Sequence, residues 1–120
     1  MTEVPVHRGS RRKKYMNEDR ILCVSNAYEK KYYLGEAFRG LPQAVKDELQ
    51  VACTIFTEHV GGVLWLSFDD DENLYLHTMA DDADITYDEI GAGLMIKQFQ
   101  KEKRELLESL ERYWNEWVNA

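Results

Sequence analysis

The sequence predicts a small α+β domain, in which an antiparallel sheet of three to four strands packs against two helices. Apolar and polar residues alternate over about 63–79, as they do in a β-hairpin. Apolar residues recur at three- and four-residue steps over about 42–59 and 87–117, as they do in amphipathic helices. The chain has 120 residues, 44% of them hydrophobic, so one domain can bury enough surface to fold without disulfides or metals.

The N-terminal part divides into a tail and one or two short strands. Residues 1–19 have almost no apolar periodicity and are predicted to be a basic, disordered tail, which leaves the single domain at 20–120. An apolar run at about 20–25, rich in β-branched residues, predicts a buried strand. A partner strand is a possibility at 31–35, where two tyrosines precede a leucine.

The first helix is predicted from about 42 to 59. Pro42 suits its first turn, where the missing N–H has no helical partner to lose. Gly61 and Gly62 are expected to end it, because glycine adopts a left-handed conformation without a Cβ penalty. Its apolar face consists of Val45, Leu49, Ala52, Cys53, Phe56 and Val60.

The predicted hairpin has two different faces. Leu and Phe residues at every second position of its first strand are expected in the core. The opposite face, with Trp65, Tyr75 and His77, is expected to be partly exposed or covered by another element. The five residues 69–73 between the strands have the polar composition of a turn.

The last helix has a clear start signal. Thr86 as N-cap and Glu89 three residues later form a capping box, and Ile85 and Ile90 form a hydrophobic staple. A helix over 87–117 would be about 46 Å long at 1.5 Å per residue. A compact chain of this length is only about 35 Å across. A straight helix would therefore extend beyond its own domain.

The second half of this helix carries an apolar patch that needs a cover. The helix can bend back, the N-terminal strands can reach it, or another subunit can supply the surface. We predict a homodimer, because large exposed apolar patches usually mark interfaces. The interface residues predicted on this basis are Leu106, Leu107, Leu110, Tyr113, Trp114 and Trp117.

The net charge of −7 is unevenly distributed. Residues 1–20 contain six Lys/Arg and three Asp/Glu, a balance of +3, whereas residues 21–120 contain nine and nineteen, a balance of −10. An acidic body argues against nucleic-acid binding, because attraction to phosphate supplies most of that affinity. Only a weak contact of the basic segment 8–14 with RNA or an anionic membrane is left open.

Other features predict a cytoplasmic protein. The sequence has no run of about 18 apolar residues and no signal-peptide pattern, so no membrane-spanning segment is expected. Cys23 and Cys53 are its two cysteines, and each lies in an apolar stretch. We expect both to be buried free thiols in a reducing compartment.

No motif predicts a catalytic, cofactor-binding or metal-binding residue. The acidic turn after Phe68 starts like an EF-hand loop, but it lacks the glycine and the final glutamate that calcium needs. Residues 69–89 contain nine acidic side chains and no Lys or Arg. Asp81, Asp82 and Asp84 in this stretch can be a polar connection, a negative surface for a basic partner, or ligands for a divalent cation.

Several short segments together resemble a known family. They are Ala27–Leu34, Leu41–Leu49, Phe56–Gly62 and Tyr87–Gly91. With them, about residues 21–115 resemble a family of small uncharacterised proteins, a domain of unknown function, from anaerobic Gram-positive gut bacteria. The resemblance implies no activity and no site residue. The order of elements is also similar to type III secretion chaperones and YbjN-like proteins, which are dimers that bind partner segments; this is an analogy of fold alone.

Three hypotheses of function remain. The first is a non-enzymatic protein-binding or adaptor domain, dimeric, that recognises another protein through its aromatic or acidic surface. The second is a metal-dependent enzyme that uses the carboxylates of 81–89. The third is nucleic-acid binding through the basic tail.

Overall fold

The computed structural model describes residues 20–119, and it confirms the predicted α+β class. The four strands form one antiparallel sheet in the order β2-β1-β3-β4. A short 3-10 turn, Glu36–Phe38, follows β2, and a π turn, Trp114–Val118, continues the last helix. The elements are β1 (Ile21–Asn26), β2 (Lys31–Leu34), α1 (Gln43–Val60), β3 (Val63–Phe68), β4 (Leu74–Met79), α2 (Glu89–Glu102) and α3 (Arg104–Tyr113).

The first half of the chain follows the predicted elements closely. The uncertain second strand is present as β2, paired with β1. Pro42 lies at the N-cap of α1, one position before the first turn. Gly61 and Gly62 end α1 with φ angles of 84° and 70°. A Cβ at Gly62 would lie 2.6 Å from the carbonyl oxygen of Met79, so this tight connection to β3 requires glycine. The predicted tail, 1–19, lies outside the described residues.

The core lies between the sheet and the helices. Alternation along β3 directs Leu64, Leu66 and Phe68 to this side, where all three are buried. The apolar face of α1 packs against them through Leu49, Cys53 and Phe56. Ring contacts extend the core to α2, where Phe99 meets Phe56 edge to face at 6.0 Å. No helix among residues 20–119 is long and apolar enough to cross a membrane.

The predicted single helix over 87–117 is divided into α2 and α3. Lys103 interrupts it with φ −109° and ψ 26°, outside helical geometry. The backbone remains hydrogen-bonded, because Lys103 donates to Phe99 and accepts from Leu107. The Lys103 ammonium also lies 3.7 Å from the Glu48 carboxylate of α1. Both helices pack on the domain on either side of this residue, α2 through Phe99 and α3 through Leu106 and Leu110, all of which are buried in the core.

The start of α2 also differs from the prediction. Thr86 does not cap it, because its hydroxyl donates to Asp84 at 2.6 Å. Asp88 is the N-cap instead, and its carboxylate accepts from the Ile90 N–H at 3.1 Å. The expected staple is not formed either: Ile85 is 94% exposed and Ile90 78% exposed.

Most of the apolar patch of α3 packs on the core of the same chain. Leu106, Leu110 and Trp114, which were expected at a subunit interface, are buried in the core of the chain itself. The Trp114 ring stacks on Phe68 at 4.5 Å with 6° between the planes. Trp114 also donates through Nε1 to Glu72 at 2.6 Å, which ties the end of α3 to the β3–β4 turn. A large patch on this helix therefore does not require a second subunit.

The remaining residues of that patch lie at its margin. Leu107 and Tyr113 are partly buried and pack against the core. Trp117 is 73% exposed. The core of the chain itself therefore covers most of this patch.

Candidate functional site

The face of the sheet opposite the core carries a row of large side chains. Val24 lies opposite Tyr33 of β2 and Trp65 of β3, and Trp65 lies opposite His77 of β4. The row Tyr33–Val24–Trp65–His77 therefore crosses all four strands. Tyr75 lies two residues before His77, on the same face. We call these five residues the outer face; none of them belongs to the core cluster.

Aromatic stacking fixes the centre of the outer face. The Trp65 and His77 rings stack at 5.0 Å with 14° between their planes, and Tyr75 meets His77 at 6.2 Å. At its edges Tyr33 is 54% exposed and Tyr75 41% exposed. The face is therefore a preformed aromatic surface with accessible phenol rings on both edge strands. Sequence alternation located Trp65, Tyr75 and His77 on one face, but only the strand order places Tyr33 and Val24 beside them.

His77 is buried at the centre of the outer face, with 4% of its surface exposed. Burial lowers its pKa from 6.5, because the imidazolium form loses hydration. Its Nε2 is 2.8 Å from the Ser67 hydroxyl oxygen. A catalytic nucleophile and its general base lie at a similar distance. Its Nδ1 is buried without a hydrogen-bond partner in the described part of the chain, so no carboxylate orients the ring. The pair therefore lacks the third group of a catalytic triad, and we assign it a structural role.

The loop between β4 and α2, which contains Asp81, Asp82 and Asp84, is organised around Tyr28 and Asp84. Asp84 accepts hydrogen bonds from the Thr86 hydroxyl and backbone and, at 2.7 Å, from the Tyr28 hydroxyl. The Thr86 bond first and then the Tyr28 bond lower the pKa of Asp84, because they stabilise the carboxylate. The same phenol oxygen accepts from the Asp81 N–H at 2.9 Å. Tyr28 thereby anchors this loop to the β1–β2 turn.

The loop does not gather ligands for a metal. Asp81 uses its carboxylate to accept from the Ala83 N–H, within the turn itself. Asp81 and Asp82 are exposed and Asp84 is half-buried. Between residues 20 and 119, no three His, Cys, Asp or Glu side chains converge as a cation would require. Asp81 and Asp82 form an exposed negative surface.

The two cysteines lie in contact in the core. Their sulfur atoms are 3.8 Å apart, and each residue is 1% exposed. The hydrogen bond with Cys23 and burial raise the pKa of the Cys53 thiol. Burial also raises the pKa of the neighbouring Tyr32 phenol. Burial shields both sulfur atoms from solvent, so neither thiol is placed to act as a nucleophile in the folded protein.

A polar cleft of about 630 Å³ lies between the end of β1 and α1. Its lining includes Lys30, Gln50, Thr54 and Glu58, so both charge signs occur there. Ligand pockets of this size are usually apolar with a few polar groups. The cleft therefore indicates no particular ligand class, in contrast to the aromatic outer face.

Comparison with known proteins gives a family and no activity. No curated protein and no solved structure matches the chain. A family model matches residues 19–119, which includes every element of the fold. The chain belongs to the family of unknown function DUF6145.

Proposed function

We propose that this domain is a non-enzymatic protein-binding module, and that its outer face receives a basic, extended segment of a partner protein. The observation that carries the proposal is the row of large side chains across all four strands, which is aromatic on β2, β3 and β4, with Tyr33 54% and Tyr75 41% exposed. Tyr and Trp are favoured at interfaces, because they combine a large contact area with a polar tip. Their rigid rings also lose little entropy on binding.

The distribution of charge supports a basic partner. Residues 21–120 have an excess of ten acidic side chains over basic ones. The acidic turn at 69–72 precedes β4, and Asp81, Asp82 and Asp84 follow it. Carboxylates therefore lie at both ends of the strand that carries Tyr75 and His77. An Arg side chain in the partner can stack on an aromatic ring of the outer face while its neighbours pair with these carboxylates.

The proposal includes a cellular setting. The resemblance described above supports an origin in an anaerobic Gram-positive gut bacterium. Two thiols that lie 3.8 Å apart as free cysteines support a reducing cytoplasm. Type III secretion chaperones and YbjN-like proteins remain an analogy for the binding of an extended partner segment, on the order of elements alone.

A peptide titration tests the binding chemistry. The probes are a short peptide in which Arg alternates with Val and a matched peptide in which Glu replaces Arg. We expect the Arg peptide to quench tryptophan fluorescence with an affinity in the micromolar range, weaker at high salt, and the Glu peptide to have no effect. Equal binding of the two peptides, or no binding of either, would contradict the proposal.

Two variants localise the site. Tyr33→Ala removes an exposed ring from the outer face and is expected to weaken Arg-peptide binding by about tenfold. Trp117→Ala removes an exposed ring from the C-terminal turn, away from the sheet, and should leave affinity unchanged. Circular dichroism checks that both variants are folded. If Trp117→Ala weakened binding and Tyr33→Ala did not, the outer face would be the wrong surface.

A further inference from the structure

Helix α2 has an apolar stripe on the side that faces away from the core. Its inner side buries Ala92 and Phe99. Ile90 and Leu94 are nevertheless 78% and 63% exposed. With Gly93 they occupy positions i, i+3 and i+4, which form one face of a helix. The first turns of α2 are therefore apolar on two sides, whereas a helix that packs only on its own domain is apolar on one.

The packing of its own chain does not explain Gly93. Glycine destabilises a helix interior relative to alanine, so its presence there needs a reason. At Gly91 the reason is local: a Cβ would lie 2.5 Å from the Asp88 carboxylate that caps the helix. A Cβ at Gly93 would meet no atom of the described chain within 4 Å. Close approach of a second helix is the situation in which a glycine at this position is useful.

Charge along α2 identifies a second copy of the chain as the occupant. Glu89 lies on the same face at the N-terminal end of α2, which follows the loop with Asp81 and Asp82, whereas Lys97 and Lys101 continue this face toward the C-terminal end. Glu89 lies four residues before Gly93, and Lys97 lies four after it. In an antiparallel pair that crosses at Gly93, each acidic end therefore meets the lysines of the other copy.

We propose that two copies associate through this stripe, with α2 antiparallel to its symmetry mate about a two-fold axis near Gly93. Such an interface is the same patch on both subunits and is self-complementary in charge. A parallel pair would instead place like charges side by side. The stripe lies on the helical side of the domain, so the dimer leaves the outer face of the sheet accessible.

Sedimentation equilibrium of the full chain tests the association. We expect a concentration-dependent monomer–dimer equilibrium, and Leu94→Lys is expected to raise its dissociation constant by about tenfold or more, since it places a charge in the interface. Ile55→Lys is the matched control: Ile55 is 50% exposed on α1, and its replacement should not change the equilibrium. A monomer at every concentration, or equal effects of the two variants, would overturn the proposal.

Cysteine cross-linking tests the orientation of the helices. Both native cysteines are buried, so an introduced thiol reports its own position. Gly93→Cys is expected to form a disulfide-linked dimer on mild oxidation, because the two copies of residue 93 meet at the axis. Lys101→Cys should remain a monomer on a denaturing gel, because antiparallel packing separates its two copies. Rapid cross-linking at position 101, or none at 93, would exclude the antiparallel arrangement.

Discussion

His77 is a titratable group that folding moves out of water on the outer face. Its pKa is lowered from 6.5 by burial against Trp65, so the folded state resists protonation. In the unfolded chain the same imidazole takes up its proton near pH 6.5. The free energy of unfolding is therefore unaffected above that pH and decreases as the pH falls through 6.5 toward the folded-state pKa.

Replacement of His77 by glutamine should remove this pH dependence. Glutamine can keep a hydrogen bond to Ser67 but does not titrate. We expect urea unfolding between about pH 8 and pH 5.5 to show a loss of stability for the wild type and a smaller loss for His77→Gln. His59→Gln, an exposed position near the end of α1, serves as the control and should retain the wild-type loss. The same pH profile for all three proteins would show that His77 is hydrated.

Some elements could be predicted because their signals are local. Alternation at 63–79 gave the β3–β4 hairpin, and the glycine pair at 61–62 gave the end of α1, because both depend on neighbouring residues. The N-cap of α2 was missed because Thr86 and Asp88 both suit a cap, and the choice depends on the hydrogen bond between Thr86 and Asp84. That bond exists only when the loop is folded.

The break at Lys103 could not be predicted for a different reason. The residues around it, Gln100–Glu105, are all good helix formers, and no glycine or proline interrupts them. Contacts distant in sequence act on this part of the chain, since Lys103 pairs with Glu48 and Trp114 stacks on Phe68 and donates to Glu72. The same contacts determine which apolar residues of α3 are buried, so an interface predicted from the pattern alone included core residues.

Trp114 should accordingly hold α3 against the domain. Its replacement by alanine removes a 2% exposed ring that stacks on both Phe38 and Phe68, and leaves a cavity. We expect Trp114→Ala to lower the free energy of unfolding by about 3–5 kcal/mol. Trp117→Ala removes a 73% exposed ring and should change it by no more than about 0.5 kcal/mol. Urea denaturation followed by circular dichroism compares them; equal effects would mean that α3 does not pack as described.

At the scale of the whole molecule, one core lies between two accessible surfaces, the outer face of the sheet and the helical side. The sheet directs its aromatic row outward, and the helices fill the other side. On that side α2 has a stripe of its own around Gly93. A protein-binding face and a self-association face can therefore be occupied together, and a dimer would present two outer faces to a partner with repeated basic segments.

The thiol pair can report whether this core opens as one unit. Cys23 belongs to β1 and Cys53 to α1, so the contact of their sulfur atoms at 3.8 Å spans the sheet and helix layers. A thiol reagent needs the thiolate, whose formation burial opposes at Cys53. We expect both thiols to react with Ellman's reagent about a thousandfold or more slower in the native protein than in urea.

The dependence of this protection on denaturant distinguishes global from local opening. If sheet and helices separate only when the domain unfolds, the reaction rates of both thiols should rise with urea in parallel with the loss of helical circular dichroism. Cys53→Ser leaves Cys23 as the single thiol. The reaction rate of Cys23 should rise with urea in the same way, although this variant is less stable than the wild type. Rapid labelling of one thiol in native buffer would instead show that α1 moves away from β1 while the rest of the domain remains folded.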